Sequence, residues 1–358
     1  MTRPTTITIN FAALRHNWQR IKILAPKSKV LAMVKANAYG HGAATIAAAL
    51  PEADGFGVAC LEEAIQLRQA GIGSRILLAQ GLFDVSEVPL CAHYDLDVVL
   101  HHIEHLAMLK AAPPSKPLRV WLKINTGMNR LGFLPEAVPG ILAALANLPQ
   151  VQVVTLMTHM AGSAEAEIPL ILQQATLFDS VTATLPPNIA RSLANSALIL
   201  RPELQLQADW VRPGIMLYGI SPFTDKTANE LGLKPVMRFQ SALMSVYQAQ
   251  AGQGVGYGHT WICPETMPMG IVAVGYGDGY PRHIEPGTHA CILGQRVPII
   301  GRVSMDMLAL DLRAVPAAQV GTQVELWGEN VPVEAIAQAA GTSPYELVTQ
   351  ITARVHRE

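Results

Sequence analysis

Nothing in this sequence approaches the run of about 20 apolar residues that a membrane-crossing helix needs, although half of its 358 residues are hydrophobic. The first residues, MTRPTTITIN, hold no apolar signal core, so a cytoplasmic protein is expected. Charge is also scarce. Charged residues make up 15% of the chain and leave a formal net charge of −1, which removes the electrostatic case for nucleic acid or an anionic membrane as the main partner. A small molecule is the expected partner. Cysteine is limited to Cys60, Cys91, Cys263 and Cys291, far apart and without C-x-x-C or zinc-like spacing. That pattern gives no disulfide framework and no metal site, and suits small core or half-buried residues in a reducing compartment. Internal repeats and low-complexity segments are missing as well.

What is present is a rhythm. Residues Thr6 to Ile9 alternate as a short strand, and Asn10 is placed to cap a helix whose apolar positions Phe11, Leu14, Trp18 and Ile21 recur at helical spacing. Apolar runs follow at Val30–Val34, Phe56–Cys60, Ile76–Gln80, Leu96–Leu100, Leu118–Ile124, Val153–His159, Ala190–Asn195 and Trp210–Ile215. Helix-like segments such as Leu61–Ala70 and Leu170–Leu185 separate them. Eight strands with helix-sized crossovers read as a (β/α)8 barrel of the TIM type over residues 11–230. Beyond Gly232 to Pro235 the texture turns β-rich. Runs at Phe239–Gln250, Met269–Val274, Ala290–Leu293, Val297–Ile300, Met307–Asp311 and Val324–Trp327 are punctuated by Gly and Pro, and helices at Val333–Ala340 and Pro344–Thr352 close the chain. Residues 231–358 are expected to form a mostly antiparallel β domain, joined by the N-terminal strand within residues 1–10.

Barrel active sites lie at the C-terminal ends of the strands, and polar residues recur there. Lys35 follows the first barrel strand and opens a polar, Gly-bearing loop. Partly desolvated and near a phenol, its amine is suited to a Schiff base; a stem packed on the strand with its head in water is the plainer alternative. Lys123 ends another strand, Arg130 lies in the loop beyond it, and His159 ends Val153–His159. Asn195 and Ser196 follow the next strand, and Arg212 to Ile215 belong to the last. Taken singly, each suits a rim charge or a satisfied core residue; all at one end of successive strands, they suit a site.

Two further strings read as structural. His101-His102-Ile103-Glu104-His105 is not H-E-x-x-H and reads as a surface cluster at a helix start. Gly252 to Gly258 is glycine-rich but sits between β segments and opens no helix, which argues against a dinucleotide site. On this reading Tyr257 is a turn aromatic and Met305 a packing residue.

The motifs VKANAYGHG, KINTGMNRLGF, LANSA, WVRPGIMLYG, VGYGHTW, VGYGDGYPR and GRVSMDML occur in this order. Their order and spacing resemble the alanine racemase family, pyridoxal 5'-phosphate enzymes built from a barrel and a β domain, and the likeness runs from about Thr6 to the last helix. The resemblance implies an L-alanine/D-alanine racemase acting as a homodimer with shared sites, and a D-alanine product that serves as a peptidoglycan precursor. By the same resemblance, Lys35 carries the cofactor as an imine and is one catalytic base. Tyr39, Ser196, Gly214, Ile215 and Tyr345 hold the phosphate, Arg212 faces the pyridine nitrogen, and His159 lies against the ring. Arg130 contacts the cofactor hydroxyl and the substrate carboxylate, beside Lys123, which is often carbamylated in the family. Tyr257 is the second base and, with Met305 and Asp306, comes from the partner subunit. Tyr276, Arg282 and Arg302 match residues near the substrate access route.

Racemisation removes a proton from one face of the α-carbon and delivers one to the other, so two flanking bases are needed, with pKa values drawn toward the working pH. An arginine at the ring nitrogen makes the cofactor a weaker electron sink than an acid would, which is expected to suppress transamination. The chain departs from the resemblance at Ser192, where many relatives carry histidine, and in Met160–Ala164; both are expected to border the substrate entrance. His356 stands where proline is usual, with a local packing effect expected. Two alternatives remain open: a broad-specificity racemase or decarboxylase on the same architecture, and a cofactor carrier. The missing signal core argues against periplasmic broad-specificity racemases, Arg212 against the decarboxylases, and the segment from Lys234 onward against the carrier.

Overall fold

The computed structural model describes residues 3–165, 168–183, 185 and 188–358. Residues 1 and 2 of the expected N-terminal segment, and Thr184 of the expected Leu170–Leu185 helix, lie outside the described residues. The chain packs as two compact units, one of Asn17–Leu217 with Ser221–Lys226 and one of Met1–His16, Tyr218–Ile220 and Thr227–Glu358.

The strands in chain order begin with β1 (Thr6–Ile9), followed by β2 (Lys29–Met33), β3 (Gly55–Val58), β4 (Arg75–Leu78), β5 (Leu96–Leu100), β6 (Leu118–Lys123), β7 (Val151–Met157), β8 (Ala190–Asn195) and β9 (Trp210–Arg212). Strands β2 to β9 close an eight-stranded parallel barrel in sequence order. Such strands are buried on both faces and therefore read as continuous apolar runs. Inside, Leu31, Leu77, Val99, Trp121, Met157 and Trp210 pack together. Nearer the N-terminal ends of the strands, the buried Asp97 carboxylate accepts from Arg75 at 2.7 Å, from Arg119 at 2.7 Å and from the Trp121 indole at 2.9 Å. One charge there satisfies three donors.

The second unit holds β10 (Met237–Ala249), β11 (Gly254–Val255), β12 (Trp261–Ile262), β13 (Met267–Val272), β14 (His289–Ile292), β15 (Gln295–Ile300), β16 (Leu308–Asp311), β17 (Gln323–Trp327) and β18 (His356–Arg357). Its sheet runs β13-β16-β15-β14-β17-β10-β1-β18, with β13 also pairing β10, and β11 and β12 form a separate hairpin. All pairs are antiparallel except β1 with β18. The N-terminal strand lies in this sheet, Thr6 opposite Gln240. Asn10 caps the helix Phe11–Leu24, its side chain accepting from the Ala13 N–H at 3.0 Å. Among the described residues no helix is long and apolar enough to cross a membrane.

Strand ends differ from the sequence reading where a polar loop takes over. β7 stops at Met157, so His159 lies two residues beyond it in a loop. β9 stops at Arg212, and Ile215 opens a 3-10 turn. Cys60 precedes the helix Leu61–Gln69 and is not part of β3.

Candidate active site

Directly after β2 the chain turns with the unusual hand. Ala36, Asn37, Ala38 and Tyr39 have φ between 51° and 54°, a conformation that costs an L-residue roughly 1–2 kcal/mol. Backbone bonds close the turn: Ala38 donates to the Val34 carbonyl at 2.7 Å and Gly40 to the Ala36 carbonyl at 3.0 Å. Side chains pin it. Asn37 accepts from the Ala43 N–H at 2.8 Å, and Glu63 from the Ala36 N–H at 2.6 Å. The His41 ring, at Nδ1, donates to the carbonyls of Ala38 and Tyr39 at 3.0 and 2.9 Å; carbonyls only accept, so Nδ1 carries the proton. Backbone strain of this kind persists where the surroundings over-determine it. The turn buries Tyr39 against Gly214, where a Cβ would stand 2.6 Å from the phenol oxygen.

Arg212, at the end of β9, is buried. It donates to the Ser192 hydroxyl at 2.5 Å and to the carbonyls of Thr158 at 2.6 Å and Leu193 at 3.4 Å. Burial draws its pKa down to about 10, so it remains a cation at neutral pH. Ser192 in turn donates to the Trp210 carbonyl at 2.9 Å. This corrects one expectation: Ser192 does not border an entrance but is fully buried on β8 beneath the guanidinium. The Ser196 hydroxyl accepts from the N–H of Gly214 at 2.8 Å and of Met216 at 3.4 Å. Asn195 caps the short helix Ser196–Ile199 by accepting from Leu198 at 3.1 Å. One serine therefore ties the loop after β9 to the end of β8.

Lys123 ends β6 and is buried. Desolvation, then the charges of Arg212, Arg130 and Lys35, lower its pKa to about 8. Lys35 is reached by solvent, yet desolvation by the protein around it and the Arg130 charge lower its pKa, while Glu63 opposes them. His159 is held well below the usual imidazole range by desolvation and by Arg212, Lys123, Arg130 and Lys35, so the ring is neutral. Five basic side chains thus share one field at the C-terminal ends of the barrel strands. Arg130 stands in a loop shaped by the Asn125 side chain, which accepts from Gly127 at 3.1 Å and Asn129 at 3.0 Å. The loop bearing His159 is held by Gln174, fully buried in the helix Ile168–Thr182, which accepts from Ala161 at 2.8 Å and donates to the His159 carbonyl at 3.3 Å.

In the β unit, Tyr257 sits on the turn between β11 and β12, 70% exposed, flanked by Gly256 and Gly258 with φ of 67° and 71°. Arg302 lies against this turn, its Nη1 3.3 Å from where a Gly258 Cβ would be. Tyr276 opens another turn, its N–H donating to the Ser304 carbonyl at 3.0 Å, and Gly277 donates to the Met305 carbonyl at 2.9 Å. The Arg282 guanidinium lies 5.9 Å from the Tyr276 ring centre. Arg354 clamps the pair of loops, donating to the buried Asp278 at 2.7 Å and to Asp306 at 2.6 Å, and Arg3 reaches Asp278 at 2.7 Å. Met305 remains 52% exposed. Tyr345 lies in the helix Pro344–Thr349, its N–H donating to Ser343 at 3.3 Å.

The histidine string does begin a helix, with His102 accepting from the Glu104 N–H at 3.3 Å, but it is not wholly a surface cluster. His105 is buried against His101, ring centres 4.4 Å apart, and burial takes its pKa to about 4. Among the described residues no His, Cys, Asp or Glu group has metal-holding geometry. Sequence reasoning did not single out Glu63, Gln174, Asp278 or Arg354, which have partners far along the chain.

Comparison with known proteins adds a family. The model described as "Alanine racemase, N-terminal domain" matches residues 9–222, and "Alanine racemase, C-terminal domain" matches residues 236–358. An alanine racemase of Nitrosococcus oceani is 47% identical over 351 residues, 98% of this chain and 97% of that protein. One from Legionella pneumophila is 47% identical over 358 residues, 99% of each chain. A crystal structure of biosynthetic alanine racemase from Pseudomonas aeruginosa superposes with a TM-score of 0.95 at 45% identity, covering 100% of this chain and 99% of that one.

Proposed function

The chain belongs to the alanine racemase family and is an alanine-racemising enzyme, and from that premise we propose that it interconverts L- and D-alanine with pyridoxal 5'-phosphate and two opposed bases. The observation that carries this reading is the convergence of Lys35, Lys123, Arg130 and Arg212 on a neutral His159 at the C-terminal ends of the strands. Such a donor set fits the cofactor: a phosphate and a carboxylate are anions, and an amine of lowered pKa is a nucleophile at moderate pH. The Tyr39 phenol against Gly214, with the Ile215 N–H and the Ser196 hydroxyl to which the Gly214 N–H donates, suits a phosphate. Tyr345 is assigned to the same group. When bound, pyridoxal 5'-phosphate acidifies the α-proton of an amine joined to it by drawing electron density from the α-carbon.

The side chains then divide the work. Lys35 anchors the cofactor and, as a free amine, takes or returns a proton on one face of the α-carbon. Tyr257 of the partner subunit does so on the other face, with Met305 and Asp306 of the partner subunit beside it. Tyr257 and Met305 are well exposed on the chain, and large exposed side chains of this kind suit a subunit interface in a homodimer. Arg130 holds the substrate carboxylate, a pairing suited to a planar guanidinium. Lys123 has an appreciable neutral fraction near pH 8. That amine attacks CO2, forming an N–C bond and releasing a proton, and the resulting carbamate anion positions Arg130. Arg212, a cation with no acid among its hydrogen-bond partners in the described residues, would face the pyridine nitrogen and would supply no proton-sharing carboxyl. The neutral His159 would lie against the ring of the bound cofactor, and Tyr276, Arg282 and Arg302 are assigned to the access route. We assign residues 11–230 to cofactor binding and 231–358 to the β domain, in a cytoplasmic enzyme that supplies D-alanine for peptidoglycan.

Turnover of L-alanine, serine, lysine and arginine is the test of substrate. Alanine is turned over fastest; faster turnover of lysine or arginine would contradict the small-substrate claim. In Lys35→Ala the Schiff-base absorbance with pyridoxal 5'-phosphate is lost, and its survival would contradict the cofactor assignment.

A further inference from the structure

We propose that Glu63 is a positioning residue of the reaction, its carboxylate fixing the peptide unit from which the Lys35 side chain springs. The proposal rests on Lys35 being the cofactor-anchoring base.

Glu63 is the third residue of the helix Leu61–Gln69, which follows β3. One carboxylate oxygen accepts from the Ala59 N–H at 2.7 Å, the reach-back that an acidic residue in a first helical turn commonly makes. Cys60, the residue before the helix, makes no side-chain cap of its own. Capping does not need the other oxygen. That oxygen accepts from the Ala36 N–H at 2.6 Å, 27 residues earlier in the chain. One carboxylate therefore joins the loops that follow two adjacent barrel strands, β2 and β3.

The bonded N–H belongs to the Lys35–Ala36 peptide. Holding it restrains ψ of Lys35 and φ of Ala36, the first of the four left-handed residues. An isolated chain would leave that conformation readily, because each residue in it is strained. The pins farther along, Asn37 to Ala43 and His41 to Ala38 and Tyr39, act beyond the point where the Lys35 side chain departs. Glu63 acts at it, through a charge-assisted bond of the stronger kind. Its charge also reaches the Lys35 amine, where it opposes desolvation and Arg130. Lys123 and His159 feel the Lys35 charge in the same field, along with those of Arg130 and Arg212. One residue thus restrains the direction of the base and, against the larger effects of desolvation and Arg130, favours its protonated form.

The test compares Glu63→Gln, Glu63→Asp and, as a control on an exposed neighbour, Glu62→Gln. Two quantities are read: kcat and KM for alanine with cofactor bound, and the pH dependence of Lys35 labelling by trinitrobenzenesulfonate in the full chain stripped of cofactor, mapped by peptide mass. Melting temperature confirms folding. Glu63→Gln lowers kcat by about tenfold to a hundredfold, the scale of a small misplacement of a reacting group, with KM changed far less. Its Lys35 labelling profile moves to lower pH, because a negative charge that favoured the ammonium form is gone. Glu63→Asp keeps the charge and shortens the reach, so kcat falls while the profile stays in place. Unchanged kcat in either Glu63 variant, an unmoved profile in Glu63→Gln, or an equal effect from Glu62→Gln would overturn the proposal. Survival of Schiff-base absorbance in Lys35→Ala would instead remove the reading beneath it, whatever the Glu63 variants do.

Discussion

The Arg212 guanidinium donates to the Ser192 hydroxyl across 2.5 Å, and both side chains are buried. Its other hydrogen bonds go to main-chain carbonyls, so among the described residues the cation at the end of β9 has no acid to share a proton with. Placing a carboxyl there would give the ring nitrogen a proton-sharing partner and make the cofactor a stronger electron sink. Arg212→Glu is expected to raise pyruvate formed per racemisation event, counted in the same reaction mixture. Racemisation that slows with no rise in side product would reject this account of reaction choice.

Gly214 is set by its neighbour. A Cβ at that position meets the Tyr39 phenol oxygen at 2.6 Å, so Gly214→Ala displaces the phenol or the loop after β9. Weaker retention of pyridoxal 5'-phosphate is expected, about tenfold for a misplaced anion donor, with little change in unfolding midpoint. Unaltered cofactor affinity would show that the phenol makes no phosphate contact.

Lys123 gives a pH dependence with a definite sign. Its pKa falls from the ordinary 10.5 to about 8 on folding, so between those values the unfolded chain holds a proton that the folded chain has released. Stability from this group rises with pH across that window, and below about 8 the folded state bears the full cost of a buried ammonium. Lys123→Met removes both the cost and the slope. Melting temperatures of the cofactor-free chains under CO2-free buffer should therefore diverge most at neutral pH and converge toward pH 10.5. Parallel curves would reject the assignment.

Asp97 accepts from Arg75, Arg119 and Trp121 in the barrel, nearer the N-terminal ends of the strands than Lys123, which ends β6. Removing one member of a buried ionic group leaves the others uncompensated, at a cost of roughly 3–5 kcal/mol. Asp97→Ala should lower unfolding stability by about 3 kcal/mol, read by urea titration, with less effect on the Lys35 Schiff base in the folded fraction. A loss below about 1 kcal/mol would mean that solvent satisfies the half-exposed arginines.

The barrel was legible because parallel strands buried on both faces leave unbroken apolar runs; Leu96–Leu100 and Ala190–Asn195 match the structure to the residue. The strands around His159 and Ile215 end early because Thr158-His159 and Pro213-Gly214 turn the chain out of the barrel into polar and Gly-bearing loops. The hand of the turn after Lys35 was not legible. Ala-Asn-Ala-Tyr contains no glycine, and its left-handed form is held by bonds that Ala36 donates to Glu63 and Asn37 accepts from Ala43, which no local pattern announces. Ser192 was visible as a departure from the family, but its burial beneath Arg212 depends on the register of β8 against β9, where pairing shifts between Ser192 and Asn195. In the β unit, no local pattern marked Arg354, whose ion pairs to Asp278 and Asp306 hold the loop that carries Met305.

The central claim is that Lys35 of one subunit and Tyr257 of the other flank a single α-carbon. Mixing a Lys35→Ala chain with a Tyr257→Phe chain, carrying different affinity tags, and isolating the heterodimer tests it directly. Each variant alone should be inactive, while the heterodimer regains racemisation through the one site that combines an intact Lys35 with an intact Tyr257. A verified heterodimer with no more activity than its parents, or full activity in Tyr257→Phe alone, would contradict the claim.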